Sequence, residues 1–106
     1  MNPRSVLLAA AALLAATGLA RADAIDGDWC SADGKRMTIR GPAVSTPGGH
    51  QISGDYSRHF FSYVVPAGEP GSGEKVEITL MSEYLAHGRQ GEAPTRVWNR
   101  CQPGVS

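Results

Sequence analysis

Cysteine is scarce in this sequence: Cys30 and Cys101 are the only two among 106 residues. That excludes the paired Cys-x-x-Cys spacing of a structural zinc site and leaves a single possible intramolecular bridge. Neither sign of charge is in excess, with ten Lys and Arg against ten Asp and Glu, so the basic footprint of a nucleic-acid-binding surface is missing. No apolar run reaches the roughly 20 residues that a bilayer-spanning helix requires, and no stretch keeps a sustained apolar period of 3.6. Aromatic residues are few as well, with two Trp, three Tyr and two Phe. No motif implies a cofactor, and the Gly-x-Ser-x-Gly elbow of an α/β-hydrolase nucleophile does not occur.

What the chain does carry begins with a leader. Arg4 supplies a positive start, Val6 to Ala16 is uncharged and apolar, and Ala22-Asp23-Ala24 has small residues flanking one spacer. These are the three parts of a secretory signal, so residues 1–24 are expected to be a signal peptide and residues 25–106 a single β domain in the periplasm or outside the cell. No cysteine lies at the end of the apolar run and Arg4 stands alone, so neither a lipid anchor nor a twin-arginine signal is indicated, and no membrane span is expected in the mature chain. That chain carries eight Lys and Arg and nine Asp and Glu. In an oxidising compartment the two cysteines are expected to pair. A domain of about 80 residues buries too little surface to be comfortably stable by packing alone, and a covalent staple across it compensates.

Glycine and proline punctuate the mature chain every eight to twelve residues, as in antiparallel strands joined by turns. The pattern predicts strands around Asp28 to Ser31, Arg36 to Arg40, Ala43 to Thr46, His50 to Ser53, Arg58 to Val65, from Lys75 toward Leu85, and Thr95 to Cys101. Asp33-Gly34 is a hairpin signal. Val76, Ile78 and Leu80 alternate with Lys75, Glu77 and Thr79, the mark of a strand with one buried face. Pro66 to Glu74 and His87 to Pro94 are predicted to be exposed connectors. The expected fold is all-β: a small antiparallel barrel or rolled sheet of six to seven strands, closed by one disulfide, because closure removes exposed edges.

Gly27-Asp28-Trp29 also resembles the Gly-x-Trp that opens the first strand in the lipocalin and wider calycin group. The resemblance implies that Trp29 lies near a barrel base, covered by an arginine from the end of the chain, either Arg96 or Arg100. Cation-on-ring stacking of that kind is physically sensible in any fold. Together, Gly27-Asp28-Trp29-Cys30, Thr46-Pro47-Gly48-Gly49, Gly54-Asp55-Tyr56-Ser57-Arg58-His59 and Trp98-Asn99-Arg100-Cys101 resemble a family of small exported proteobacterial proteins. That likeness covers the mature chain and implies no activity.

Among polar clusters, Asp55, Ser57 and His59 project to one side of an extended strand and are the residue types of a nucleophilic triad. Neighbours two apart on a strand are separated by nearly 7 Å, too far for the hydrogen bonds of about 3 Å that a nucleophile and its base require. His50, His59 and His87 lack the short spacings of a metal site, so no metal is expected. Tyr56, Phe60, Phe61 and Tyr63 either line an apolar ligand pocket or form the core. The sequence therefore favours a non-enzymatic binding protein whose partner is a small apolar ligand or an envelope protein. Trp29, Tyr56, Arg58, His59, Tyr63 and Arg100 are its candidate contacts, and a small hydrolase or metal-binding protein using Asp55, Ser57 and His59 is the alternative.

Overall fold

The computed structural model of the chain describes residues 24–102, and the expected leader, its last residue apart, lies outside them. Among the described residues, nine strands form one antiparallel sheet: β1 (Gly27–Cys30), β2 (Arg36–Arg40), β3 (Ala43–Ser45), β4 (Gln51–Ser53), β5 (Asp55–Ser57), β6 (Phe60–Val64), β7 (Lys75–Leu80), β8 (Leu85–Gln90) and β9 (Arg96–Arg100). Their order is β4-β3-β2-β1-β9-β8-β7-β6-β5. The two end strands, β4 and β5, are consecutive in the chain and separated only by Gly54. A single bent strand thus belongs to both ends of the sheet and rolls it into a nearly closed barrel, a simple meander whose first and last strands also pair.

Two strands beyond the expected six to seven account for the difference. The segment Asp55–Ser57, between the strands expected around His50 to Ser53 and Arg58 to Val65, pairs with Phe60–Ser62 as β5. The other, β8, falls largely in the stretch expected to be a connector from His87. Its inward positions are Ala86 and Gly88, too small to register as an apolar stripe. The reason lies on the neighbouring strand: a Cβ on Gly88 would come within 2.8 Å of Trp98 Nε1. One large ring on β9 fills the space that two side chains on β8 would otherwise share.

The interior is packed by Ile25, Trp29, Met37, Ile39, Val44, Phe61, Val65, Val76, Ile78 and Ala86, with Tyr63 and Trp98 toward one end. Phe61, Tyr63 and Val65 face inward and Val64 outward, and β7 buries Val76 and Ile78, as their alternation predicts. At the bend, a Cβ on Gly54 would lie 2.2 Å from Ser62 O and 2.7 Å from the Phe61 ring, so only glycine lets the strand turn there. Closure on the far side joins Trp29 to Arg100 and Cys30 to Asn99 in register. The Cys30–Cys101 disulfide locks that pairing, with a Cα separation of 5.1 Å across 71 positions of sequence.

Closure is incomplete at one place. β6 pairs with β5 only through Ser62 and β4 pairs with β3, so Gln51–Ser53 and the end of β6 diverge beyond the Gly54 bend. A seam opens there, lined by Ile52, Ser53, Tyr63, Val64 and Val65 among others.

Candidate functional site

The two ends of the barrel differ in chemistry. At one end the chain entering β1 crosses the opening: Ile25 is fully buried, its carbonyl accepts a hydrogen bond from Trp29 Nε1 at 3.0 Å, and its N–H donates to Arg58 O. Arg100 stands over the Trp29 ring with its guanidinium carbon 4.0 Å from the centroid. Its three nitrogens donate to the carbonyls of Glu83, Asp26 and Ala24 at 2.7, 2.5 and 2.6 Å. A Cβ on Gly27 would collide with that guanidinium, so the glycine of Gly27-Asp28-Trp29 makes room for the arginine. Burial pushes the Arg100 pKa down, opposed by the charges of Asp26 and Glu83. Of the two arginines weighed as the cover of Trp29, Arg100 occupies that position, while Arg96 lies over Trp98 at 5.8 Å.

The opposite end is open. A cavity of about 350 Å³ lies beneath the loops between β1 and β2, β3 and β4, β6 and β7, and β8 and β9. Tyr63, Val65, Val76 and Trp98 line its apolar interior, Pro47, Pro70 and Pro94 its walls, and Lys35, Glu69, Arg89, Gln90 and Arg96 its polar rim. Proline-rich walls hold a shape at little entropic cost, because their backbones are already restricted.

Loop geometry at this mouth is fixed by carboxylates. The 66–74 connector, expected to be exposed throughout, folds inward at Glu69, whose side chain is only 8 % exposed. Glu69 Oε2 accepts hydrogen bonds from Thr46 Oγ1 and His50 Nδ1, each at 2.5 Å, and Gly48 leaves space that a Cβ would take from it. Burial acts to raise the Glu69 pKa, but the bonds from Thr46 and His50, the charge on His50 and the Gly48 amide outweigh it and hold the carboxyl below its usual range. Across the opening, Asp33 accepts both a hydrogen bond from Ser31 Oγ and bonds from Arg96 at 2.8 and 2.9 Å. Those two donors, Ser31 first, bring its carboxyl down to about 2.

Tyr63 and Trp98 bring polar side-chain atoms to the apolar part of the cavity lining. They are 6 % and 4 % exposed. Neither the Tyr63 hydroxyl nor Trp98 Nε1 has a hydrogen-bond partner among the described residues, and yet no fully enclosed side-chain nitrogen or oxygen there lacks one. Both atoms therefore keep some exposure; both residues line the cavity, and Tyr63 lines the seam as well. Burial, with a contribution from the charge on Glu69, pushes the Tyr63 hydroxyl up to about 12, so it is a neutral donor at physiological pH.

The candidate residues from sequence are distributed over three places. Tyr63 lines the mouth cavity. Trp29 and Arg100 seal the closed end. Tyr56, Arg58 and His59 lie on β5 and the turn after it, exposed, with the Tyr56 ring 3.8 Å from where a Cβ on Gly41 would stand. Asp55, Ser57 and His59 are likewise exposed, and no hydrogen bond joins them among the described residues. No cluster of three or more His, Cys, Asp or Glu side chains suited to a metal occurs among the described residues. Trp98, Lys35, Arg96 and Glu69 were not among the candidates. Trp98 had a signal of its own, since Arg96, Trp98 and Arg100 alternate and hence share the inner face of the closing strand.

Comparison with protein-family models, with curated proteins and with solved structures returns no match.

Proposed function

We propose that this protein is an exported binding protein that holds one small ligand in the cavity at the open end of its barrel. The observation that carries the reading is the asymmetry of the ends: one is plugged by Ile25, Trp29 and Arg100, and the other holds about 350 Å³ of mostly apolar space with two inward donors. Ligand sites commonly have this composition, apolar walls with a few placed polar groups, and volumes upward of about 300 Å³. The likeness to the lipocalin group is part of the same proposal, as is residence in the periplasm or outside the cell, which suits a disulfide-closed domain. An envelope protein is a second partner class, favoured by Met81 and Tyr84, exposed together on the turn between β7 and β8 at the closed end.

An anilinonaphthalene sulfonate titration tests the main reading. One dye molecule is expected to bind with blue-shifted emission and energy transfer from Trp98. Ala93→Trp, at an exposed position lining the cavity, is expected to block the opening and abolish binding without altering the melting temperature. Dye binding unaffected by Ala93→Trp would remove the cavity from consideration and leave the turn at Met81 and Tyr84 as the surface to pursue.

A further inference from the structure

We infer that the ligand is a planar aromatic carboxylate of one or two rings, an inference that rests on the proposed ligand-binding function. Three independent features converge on this chemistry. Volume comes first: about 350 Å³ is near the lower limit for small-molecule sites, which suits a compact ligand of a few rings at most. The interior comes second. Trp98 and Tyr63 offer ring faces and edges, which favour a flat π system over a branched aliphatic one. Their Nε1–H and hydroxyl donate, and the hydroxyl also accepts, so the interior accommodates a ring hydroxyl or carbonyl as well as a bare ring.

The third feature is charge at the rim. Lys35, Arg89 and Arg96 line the cavity against one carboxylate, Glu69. That carboxylate is already occupied by Thr46 and His50, and Arg96 is shared with Asp33. Lys35 has no ion-pair partner among the described residues, and Arg89 lies on the outer face of β8 opposite Glu77 in register. A cation entering this rim meets like charge, a neutral molecule gains nothing from it, and an anion neutralises it. The ligand thus lies with its ring between Trp98 and Tyr63 and its carboxylate outward, toward Lys35.

Three probes with one ring system separate the terms: 2-naphthoate, 2-naphthalenemethanol and 2-naphthylmethylammonium, titrated calorimetrically into the oxidised protein at low ionic strength. The expected order is carboxylate, then alcohol, then amine. Lys35→Gln, at an exposed position, is expected to weaken 2-naphthoate roughly fivefold, the scale of one half-exposed ion contact, and to leave the alcohol unchanged. Added salt should weaken the carboxylate alone. Alcohol binding as tight as carboxylate binding, or insensitivity of the carboxylate to Lys35→Gln and to salt together, overturns the inference while leaving a ligand cavity intact. Absence of binding by all three overturns the inference and the proposed function together.

Discussion

Arg100 is the residue on which most of the closed end depends. Its guanidinium satisfies three carbonyls from two separate segments and covers the Trp29 ring. Hydrogen bonds involving a charged group contribute about 1.5–3 kcal/mol each, and leaving buried acceptors unpaired adds a cost. Arg100→Met should therefore lower unfolding stability by about 3 kcal/mol or more, read from denaturant midpoints. Arg100→Lys should recover only part of that, because an ammonium cannot present a planar fork to three acceptors or stack flat on indole. Equal stability of the lysine variant and the parent would show that charge alone suffices. At the mouth, Asp33 makes a complementary prediction about acid. Its folded pKa is about 2 against an ordinary 3.8. A lowered carboxyl contributes stability that is fully present above the unfolded value and is lost as pH falls through the folded one. Asp33→Asn should therefore show a smaller decline in stability between about pH 4 and about pH 2 than the parent; an identical decline would mean that the bonds from Ser31 and Arg96 do not persist in solution.

At the scale of elements, legibility followed side-chain size. β7 was plain in the sequence because Val76, Ile78 and Leu80 alternate with polar residues, whereas β8 was hidden because its inward positions are Ala86 and Gly88. The missing volume is on β9, in Trp98, and local patterns cannot show that a gap on one strand is filled from the next. Gly54, outside the strands expected from sequence, is a bend within an almost continuous strand, set by Ser62 O and the Phe61 ring, which no local pattern at the glycine displays. The mouth cavity was equally out of reach. It depends on the 66–74 loop folding back through Glu69 onto Thr46 and His50, whereas composition alone marks that loop as solvated. Tyr63 was found because it lies in the most apolar run of the mature chain. The bend at Gly54 also yields a prediction. Hydrogen-bonded pairs alternate along antiparallel ladders. Val65 bonds Glu74, so Tyr63 bonds Val76 and the Val64 N–H points into the seam. By the same alternation from Thr46 and His50, Ile52 bonds Val44, and the N–H groups of Gln51 and Ser53 point into the seam from the other side. Amide exchange should be fast at Gln51, Ser53 and Val64, the last already 57 % exposed, and slow at Tyr63 and Val65. Strong protection at Val64 would mean that the seam closes in solution.

For the whole molecule, the decisive contact is the one farthest apart in sequence. Every other pairing in the ring joins strands adjacent in the chain; β1 with β9 alone joins the two ends, through only two residue pairs in register and one further backbone bond from Cys101 N to Asp28 O. Loop closure over 71 positions is entropically costly, and so short a ladder offsets little of it. The disulfide removes that cost from the unfolded side, by about 4 kcal/mol in the chain-entropy description, a large part of the roughly 5–15 kcal/mol that holds a small domain folded. Cys30→Ser should therefore melt far below the parent under oxidising conditions, and reductant should bring the parent down to the variant's level. The consequence reaches the cavity as well. Trp98 belongs to β9 and Lys35 to the turn between β1 and β2, so the interior and rim of the site are carried by opposite sides of the tie. If the ring opens where it is least supported, 2-naphthoate affinity falls on reduction at temperatures where the parent's circular dichroism still reports β structure. Affinity that holds until the β signal itself is lost would mean that β1 and β9 stay paired without the bridge.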